Sequence, residues 1–178
     1  IDPLDGTTNY AHGYPNFSVS IALEKSGEVI LGVVYDAMRN EVFTGEKGRG
    51  ACLNGKVITV SKAETLIRSL LATGFPYDRM TSEKNNLNYF AALLMASQEV
   101  RRSGSAALDL CSVAAGRLDG YWELKLNPWD VAAGSLIVRE AGGTVTDFSG
   151  TRFSISDKEI LASNGRIDHQ MVEILQEA

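Results

Sequence analysis

Apolar and polar residues alternate through "FSVSIAL" from Phe17 to Leu23, and after a turn at Ser26 and Gly27 comes a second extended run, "EVILGVVYDA". A period of two on both sides of a short turn predicts an antiparallel hairpin. "NEVFTG" adds a third strand, and in "EKGRGACLNGKVITVS" the closely spaced glycines and the Asn54-Gly55 pair mark turns between further short strands. "SLLATGF" at Ser69 to Phe75 is apolar without interruption, which suits a strand buried on both faces.

Helical spacing takes over from Glu83 to Gln98, where Leu87, Phe90, Ala91, Leu94 and Met95 recur on one side. Ser105 is placed to cap a helix through "AALDLCSVAAG" that stops near Gly116. "DGYWEL" predicts a strand, and "NPWDVAAGSLIVREAGG" a helix with Pro128 in its first turn and Gly142 as its stop. "ILASN" and "IDHQMVEILQEA" close the chain as a strand and an amphipathic helix. Strands bunched early and then mixed with helices predict a layered α+β or mixed α/β architecture. No linker, repeat or low-complexity tract divides the chain, so one domain over 1–178 is expected.

Composition narrows the function classes. The 178 residues are 44% hydrophobic, enough for a substantial core. The net charge is −5 with the two signs interspersed, so no basic stripe offers itself to nucleic acid or to an anionic membrane. A phosphate ligand on such a chain needs a cation between them. Cys52 and Cys111 lack CxxC spacing, and His12 and His169 have no partner at ligand spacing, which argues against disulfide, zinc and other imidazole or thiolate sites. Cys111 reads as a core residue. With no apolar run of spanning length and no signal-peptide pattern, a cytoplasmic setting is the default expectation.

The candidate chemistry opens the chain in "IDPLDGTTN". Pro3 stiffens the segment between Asp2 and Asp5, and two carboxylates on a rigid strand end can converge on a hard cation such as magnesium or manganese. The competing reading makes them turn formers and caps. Gly6, Thr7 and Thr8 can open a helical turn whose amides suit an anion; alternatively Asp5 simply caps that turn. Asp130 in "PWDVAAG" sits where Asp is an ordinary helix N-terminal residue, and Glu123 ends the strand "DGYWEL", from which it could project at the same rim. Trp122 and Trp129 read as packing residues, Asp109 as a hydrogen-bonding acid, Asp119 as a turn residue, and Arg101 as the arginine that neutralises and orients buried acids.

Taken together, "DPLDGTTN" at Asp2 to Asn9 and "WDVAAGSLIVREAGG" at Trp129 to Gly143, with "SGSAALDL" and "YWE" between them, resemble the inositol monophosphatase family. Its members are metal-dependent, lithium-sensitive phosphomonoesterases, and "ATGFPYD" and "RRSGSAALDL" are closest to bacterial-type members. The resemblance implies a layered αβαβα sandwich of the sugar-phosphatase type. It also implies two or three magnesium ions (manganese being possible), with Asp2 bridging two, the Leu4 carbonyl on the first and Asp5 with Asp130 on the second. Thr7 would orient the attacking water, the Gly6 and Thr7 amides would hold the phosphate, and Glu123 with the backbone of Gly104, Ser105 and Ala106 would face the polyol.

By the same resemblance the substrate is an inositol phosphate or a related small phosphomonoester, and the assembly a homodimer. "DGTTN" favours inositol monophosphates over the "DGTK" of adenosine bisphosphate relatives and the "DGSS" of fructose bisphosphatases. A dual inositol monophosphatase and fructose-1,6-bisphosphatase is the enzymatic alternative, and a non-catalytic regulatory or binding module of the same fold is the alternative from another class. The family's upstream "GEE"-type motif and N-terminal helices have no counterpart here. The expectation is therefore a C-terminal portion of such an enzyme that binds metal weakly and turns over little substrate; comparable rates in a version extended upstream would refute it.

Overall fold

The computed structural model describes residues 1–178 as two sheets and five α-helices. The first sheet is an antiparallel meander in the order β1 (Asp2–Asp5), β2 (Ser18–Lys25), β3 (Glu28–Asp36), β4 (Glu41–Glu46), β5 (Gly50–Leu53) and β6 (Lys56–Val57). A five-residue helix α1 (Thr7–Ala11) separates β1 from β2.

The second sheet is mixed. Its order is β10 (Thr144–Thr146), β11 (Glu159–Ser163), β9 (Gly120–Leu124), β7 (Leu70–Thr73) and β8 (Glu99–Arg101), with β7 parallel to β8 and β9. Four longer helices complete the chain: α2 (Leu87–Ala96), α3 (Ala106–Ala114), α4 (Pro128–Glu140) and α5 (Asp168–Glu177).

Side-chain alternation builds the layers. The central strands of the second sheet are apolar on both faces because each face meets a different helix pair. Ala72, Tyr121, Ile160 and Ala162 join α3, α4 and the first-sheet residues Val34, Phe43 and Ala51 in one core. Their neighbours Leu71, Trp122 and Leu161 face the other way, onto Leu93 of α2 and Met171 and Leu175 of α5. The order is sheet, helix pair, sheet, helix pair, while Ile21, Leu23 and Leu31 of the first sheet are exposed. This is the layered sandwich expected from the pattern, without an outer helical layer over β2 and β3.

Two contacts seat the helix that follows β9. Helix α4 lies directly on the first sheet: a Cβ at Gly32 would come within 2.8 Å of the Ala133 carbonyl oxygen. At the start of the same helix, Ser20 Oγ donates to the Trp129 carbonyl at 3.3 Å, which ties β2 to the first turn of α4.

Several elements differ from the expectation. Helix α2 begins at Leu87 rather than Glu83, because Asn86 adopts a left-handed conformation (φ +75°) and its side chain is engaged elsewhere. The short strands β8 and β10 lack a three-residue alternation strong enough to read, and they form as neighbours of established strands. No helix is long and apolar enough to cross a membrane.

Candidate active site

A three-residue separation on a regular strand would place Asp2 and Asp5 on opposite faces. In β1 it does not. Asp2 pairs with Ser20 and Asp5 with Ser18, so three steps on β1 oppose two on β2, which is a β-bulge. The bulge rephases the strand and turns both carboxylates toward the same side. Pro3, which has no N–H for a ladder, is accommodated because β1 is an edge strand.

Asp130 reaches the same point from α4. It is the third residue of that helix, and its Oδ2 accepts from the Asn127 backbone N–H at 2.8 Å. One carboxylate oxygen from each of Asp2, Asp5 and Asp130 lies within 4.8 Å of the others.

The electrostatics of this cluster are unfavourable as they stand. Asp5 is buried, and that burial holds its carboxyl up at about 6, with the charges of Asp2 and Asp130 adding to the effect. Hydrogen bonds from Ser105 Oγ and the Ala107 N–H, the latter at 3.0 Å, oppose the shift only in part. Burial also raises Asp130, again with Asp2 contributing. No lysine or arginine pairs with any of the three. Three converging carboxylates without a counter-charge fit a hard, oxygen-seeking divalent cation.

The cluster lines a cavity of about 700 Å³. The metal, phosphate and polyol candidates from the sequence all line it: Asp2, Leu4, Asp5, Gly6, Thr7, Gly104, Ser105, Ala106, Glu123 and Asp130. Gly6 sits between β1 and α1 with φ +89°, and a Cβ there would lie 2.9 Å from the Asn16 carbonyl oxygen. Gly6→Ala is therefore expected to destabilise the protein by about 2–3 kcal/mol, checked by urea unfolding, since strain and overlap act together. Asp5 is not the cap of α1. It instead docks on the N-terminus of α3, where Ser105 accepts from the Leu108 N–H at 3.3 Å as that helix's N-cap.

In the same cavity, burial raises Glu123 to about 7, and the Tyr121 hydroxyl donates to its Oε2. Asp109 is buried, accepts from Ser103 Oγ and is pushed well above its ordinary range by that burial. Cys111 is fully buried, as its surroundings in the sequence suggested. Asp119 does more than form a turn: it accepts from Ser61 Oγ and from the Leu70 N–H at 2.7 Å.

Two assignments are corrected. Arg101 does not serve the acids of the cavity; it faces Glu99, 3.7 Å away on the same side of β8. Its neighbour Arg102 lines the cavity, and its charge opposes the upward shifts of Glu123 and Asp109. The reason is that β8 ends at Arg101, and Arg102 already belongs to the segment that leads to Gly104 and Ser105 in the cavity wall. Trp122 packs as expected, but Trp129 is half exposed at the cavity mouth.

Sequence reasoning also missed Asn9 as a brace. Its Nδ2 donates to the Asn16 and Ser103 carbonyls at 2.7 and 2.8 Å, which joins α1 to the loop carrying Gly104. Arg79, also in the cavity wall, was not signalled by any motif, and Gly74 lies within "ATGFPYD" but was given no role.

Comparison with known proteins bears directly on this geometry. The profile of the inositol monophosphatase family matches residues 1–178. An inositol-1-monophosphatase of Synechocystis is 51% identical over 175 residues, covering 98% of this chain and 61% of the relative. A Nus factor SuhB of Pseudomonas aeruginosa is 46% identical, covering 99% of this chain and 66% of the relative. The chain thus spans less than two thirds of the length of these curated relatives. Among solved structures, an inositol monophosphatase from Anabaena superposes with a TM-score of 0.98 at 50% identity, over 100% of this chain and 71% of that one. Fold, motif order and identity agree: the chain belongs to the inositol monophosphatase family.

Proposed function

We propose that the cavity is the active site of a magnesium-dependent phosphomonoesterase that hydrolyses myo-inositol monophosphate to inositol and phosphate. The observation that carries this reading is the convergence of Asp2, Asp5 and Asp130, without a counter-charge, in a polar cavity that Glu123 also lines. Asp2, Asp5, Asp130 and the Leu4 carbonyl would hold the cations, and manganese would also suit these oxygen ligands. Bound there, divalent cations neutralise the phosphate, acidify water and stabilise the departing alkoxide.

The chain's own groups account for the rest. Ser105 and Ala107 keep Asp5 from swinging away. Gly6 and Thr7 bring backbone amides to the phosphate, and the Thr7 hydroxyl holds the attacking water. Glu123, with the backbone of Gly104, Ser105 and Ala106, receives the hydroxyl groups of the alcohol. Water attacks phosphorus, the P–O bond to inositol breaks, and the alcohol leaves with a proton, so no covalent enzyme intermediate is required. The pairing of two copies into a homodimer and the single-domain organisation of 1–178 belong to the same proposal.

The test is phosphate release from inositol 1-phosphate with and without magnesium, for the wild type and Asp130→Asn. Release that needs magnesium and is lost in the variant supports the reading; release indifferent to both refutes it. The name of the Pseudomonas relative favours a second reading, a regulatory binding module. Under that reading, capture of a protein partner survives Asp130→Asn. A bisphosphate substrate is the enzymatic alternative, favoured by Arg79 and Arg102, which line the same cavity without an ion pair; rates on fructose 1,6-bisphosphate and inositol 1-phosphate separate the two.

A further inference from the structure

The Glu123 carboxylate is seated with unusual closeness. Gly74, immediately after β7, lies beneath it, and a Cβ added there would overlap Oε1, Cδ and Oε2 of Glu123. Only a residue without a side chain leaves that volume to the carboxylate. From the other side, the hydroxyl of fully buried Tyr121 donates to Oε2. Tyr121 and Glu123 are two residues apart on β9, hence on one face of the strand, and this lets the hydroxyl reach its neighbour.

Gly74 is itself held in place. Asn86 Nδ2 donates to the Gly74 carbonyl at 2.5 Å and to Thr73 Oγ1 at 2.8 Å. Asn86 Oδ1 accepts from Trp122 Nε1 at 2.8 Å, and Thr73 Oγ1 donates to the Trp122 carbonyl at 2.6 Å. Asn86 is buried with both of its side-chain polar atoms engaged, so the floor under Glu123 is a satisfied network with no slack. No such arrangement is needed to fill space, since a glycine and a tyrosine hydroxyl are poor fillers. It is what an acceptor needs if its position matters.

We propose that Gly74 and Tyr121 are positioning residues that preset Glu123 as the acceptor for hydroxyl groups of the leaving alcohol. They thereby set the selectivity for polyol phosphates over phosphates whose alcohol carries no such hydroxyls. The inference rests on the role given to Glu123 above. Without the Tyr121 donor the carboxylate can rotate, and with a methyl at position 74 it must move; either change forfeits a hydrogen bond aligned in advance.

The experiment compares kcat and KM for inositol 1-phosphate and 4-nitrophenyl phosphate, with magnesium, in the full chain. Tyr121→Phe and Gly74→Ala should each lower the ratio of kcat/KM for the two substrates about tenfold, with the change carried by the KM for inositol 1-phosphate. Glu123→Asp placed in the Gly74→Ala background shortens the acid by one methylene, so it should recover part of the lost ratio. If both single variants leave the ratio where it was, or if the shorter acid recovers none of it, the positioning role is overturned. If Glu123→Gln leaves the ratio unchanged, the assignment of Glu123 falls first, and this inference with it.

Discussion

Under the proposed function, Asp5→Asn is expected to abolish whatever magnesium-dependent turnover the wild type shows, by at least about a thousandfold, while making the metal-free protein more stable at pH 8. The two effects have one cause. Asp5 is buried among like charges, and its carboxyl titrates at about 6 rather than 3.8, so at pH 8 the folded chain holds an anion that its surroundings disfavour. Asparagine keeps an oxygen to accept from Ser105 and Ala107 and removes the charge. The expected gain is about 1–3 kcal/mol, read as a rise of several degrees in Tm without metal. Added magnesium should raise the Tm of the wild type and leave that of the variant unmoved. A variant that loses activity and also melts lower without metal would show that Asp5 acts mainly as a structural anchor for α3.

The same electrostatics predict an inverted pH profile for the metal-free protein. Asp5 and Glu123 have folded-state values raised to about 6 and about 7. A carboxyl with a raised value contributes stability that is fully present below its unfolded value and is lost as pH rises through the folded one. For Asp5 the loss is about 3 kcal/mol between pH ~4 and ~7, with a smaller part from Glu123 because it opens onto the cavity. Glu41, lowered by its hydrogen bonds to Arg117, acts in the opposite sense and weakens the fold only as the medium becomes more acidic than its unfolded value. Chemical denaturation in the presence of a chelator should therefore find maximum stability near pH ~4 and a decline toward neutrality, and saturating magnesium should erase that decline. A profile flat from pH 5 to 8 without metal would contradict the buried-charge account of the cluster.

How much of this could be read from the sequence depends on how local its cause is. β2, β3 and β4 show their alternation, and α3 shows both its cap at Ser105 and its apolar filling. The continuous apolar run at β7 correctly indicated burial on two faces. The cavity residues were legible because the motifs carry them together. The bulge between Asp2 and Asp5 was not, since it exists only relative to the register of β2. The choice between Arg101 and Arg102 failed for the same reason: only the pairing of Ala72 with Arg101 shows that β8 ends there and that Arg102 enters the segment lining the cavity. Gly74 and Tyr121 look like any glycine and any strand tyrosine until β7 and β9 lie side by side.

The acids of the site come from widely separated stretches of chain: a bulged edge strand for Asp2 and Asp5, the first turn of α4 for Asp130. Neither stretch offers a chelating set alone, so a divalent ion held as proposed would gain its full grip only after the long stretch of chain between them has closed and the helix has docked. Under the proposed function, capture of the ion would therefore come late in folding, and its stabilisation would fall on the escape from the native state, as a latch that slows unfolding and does little to speed assembly.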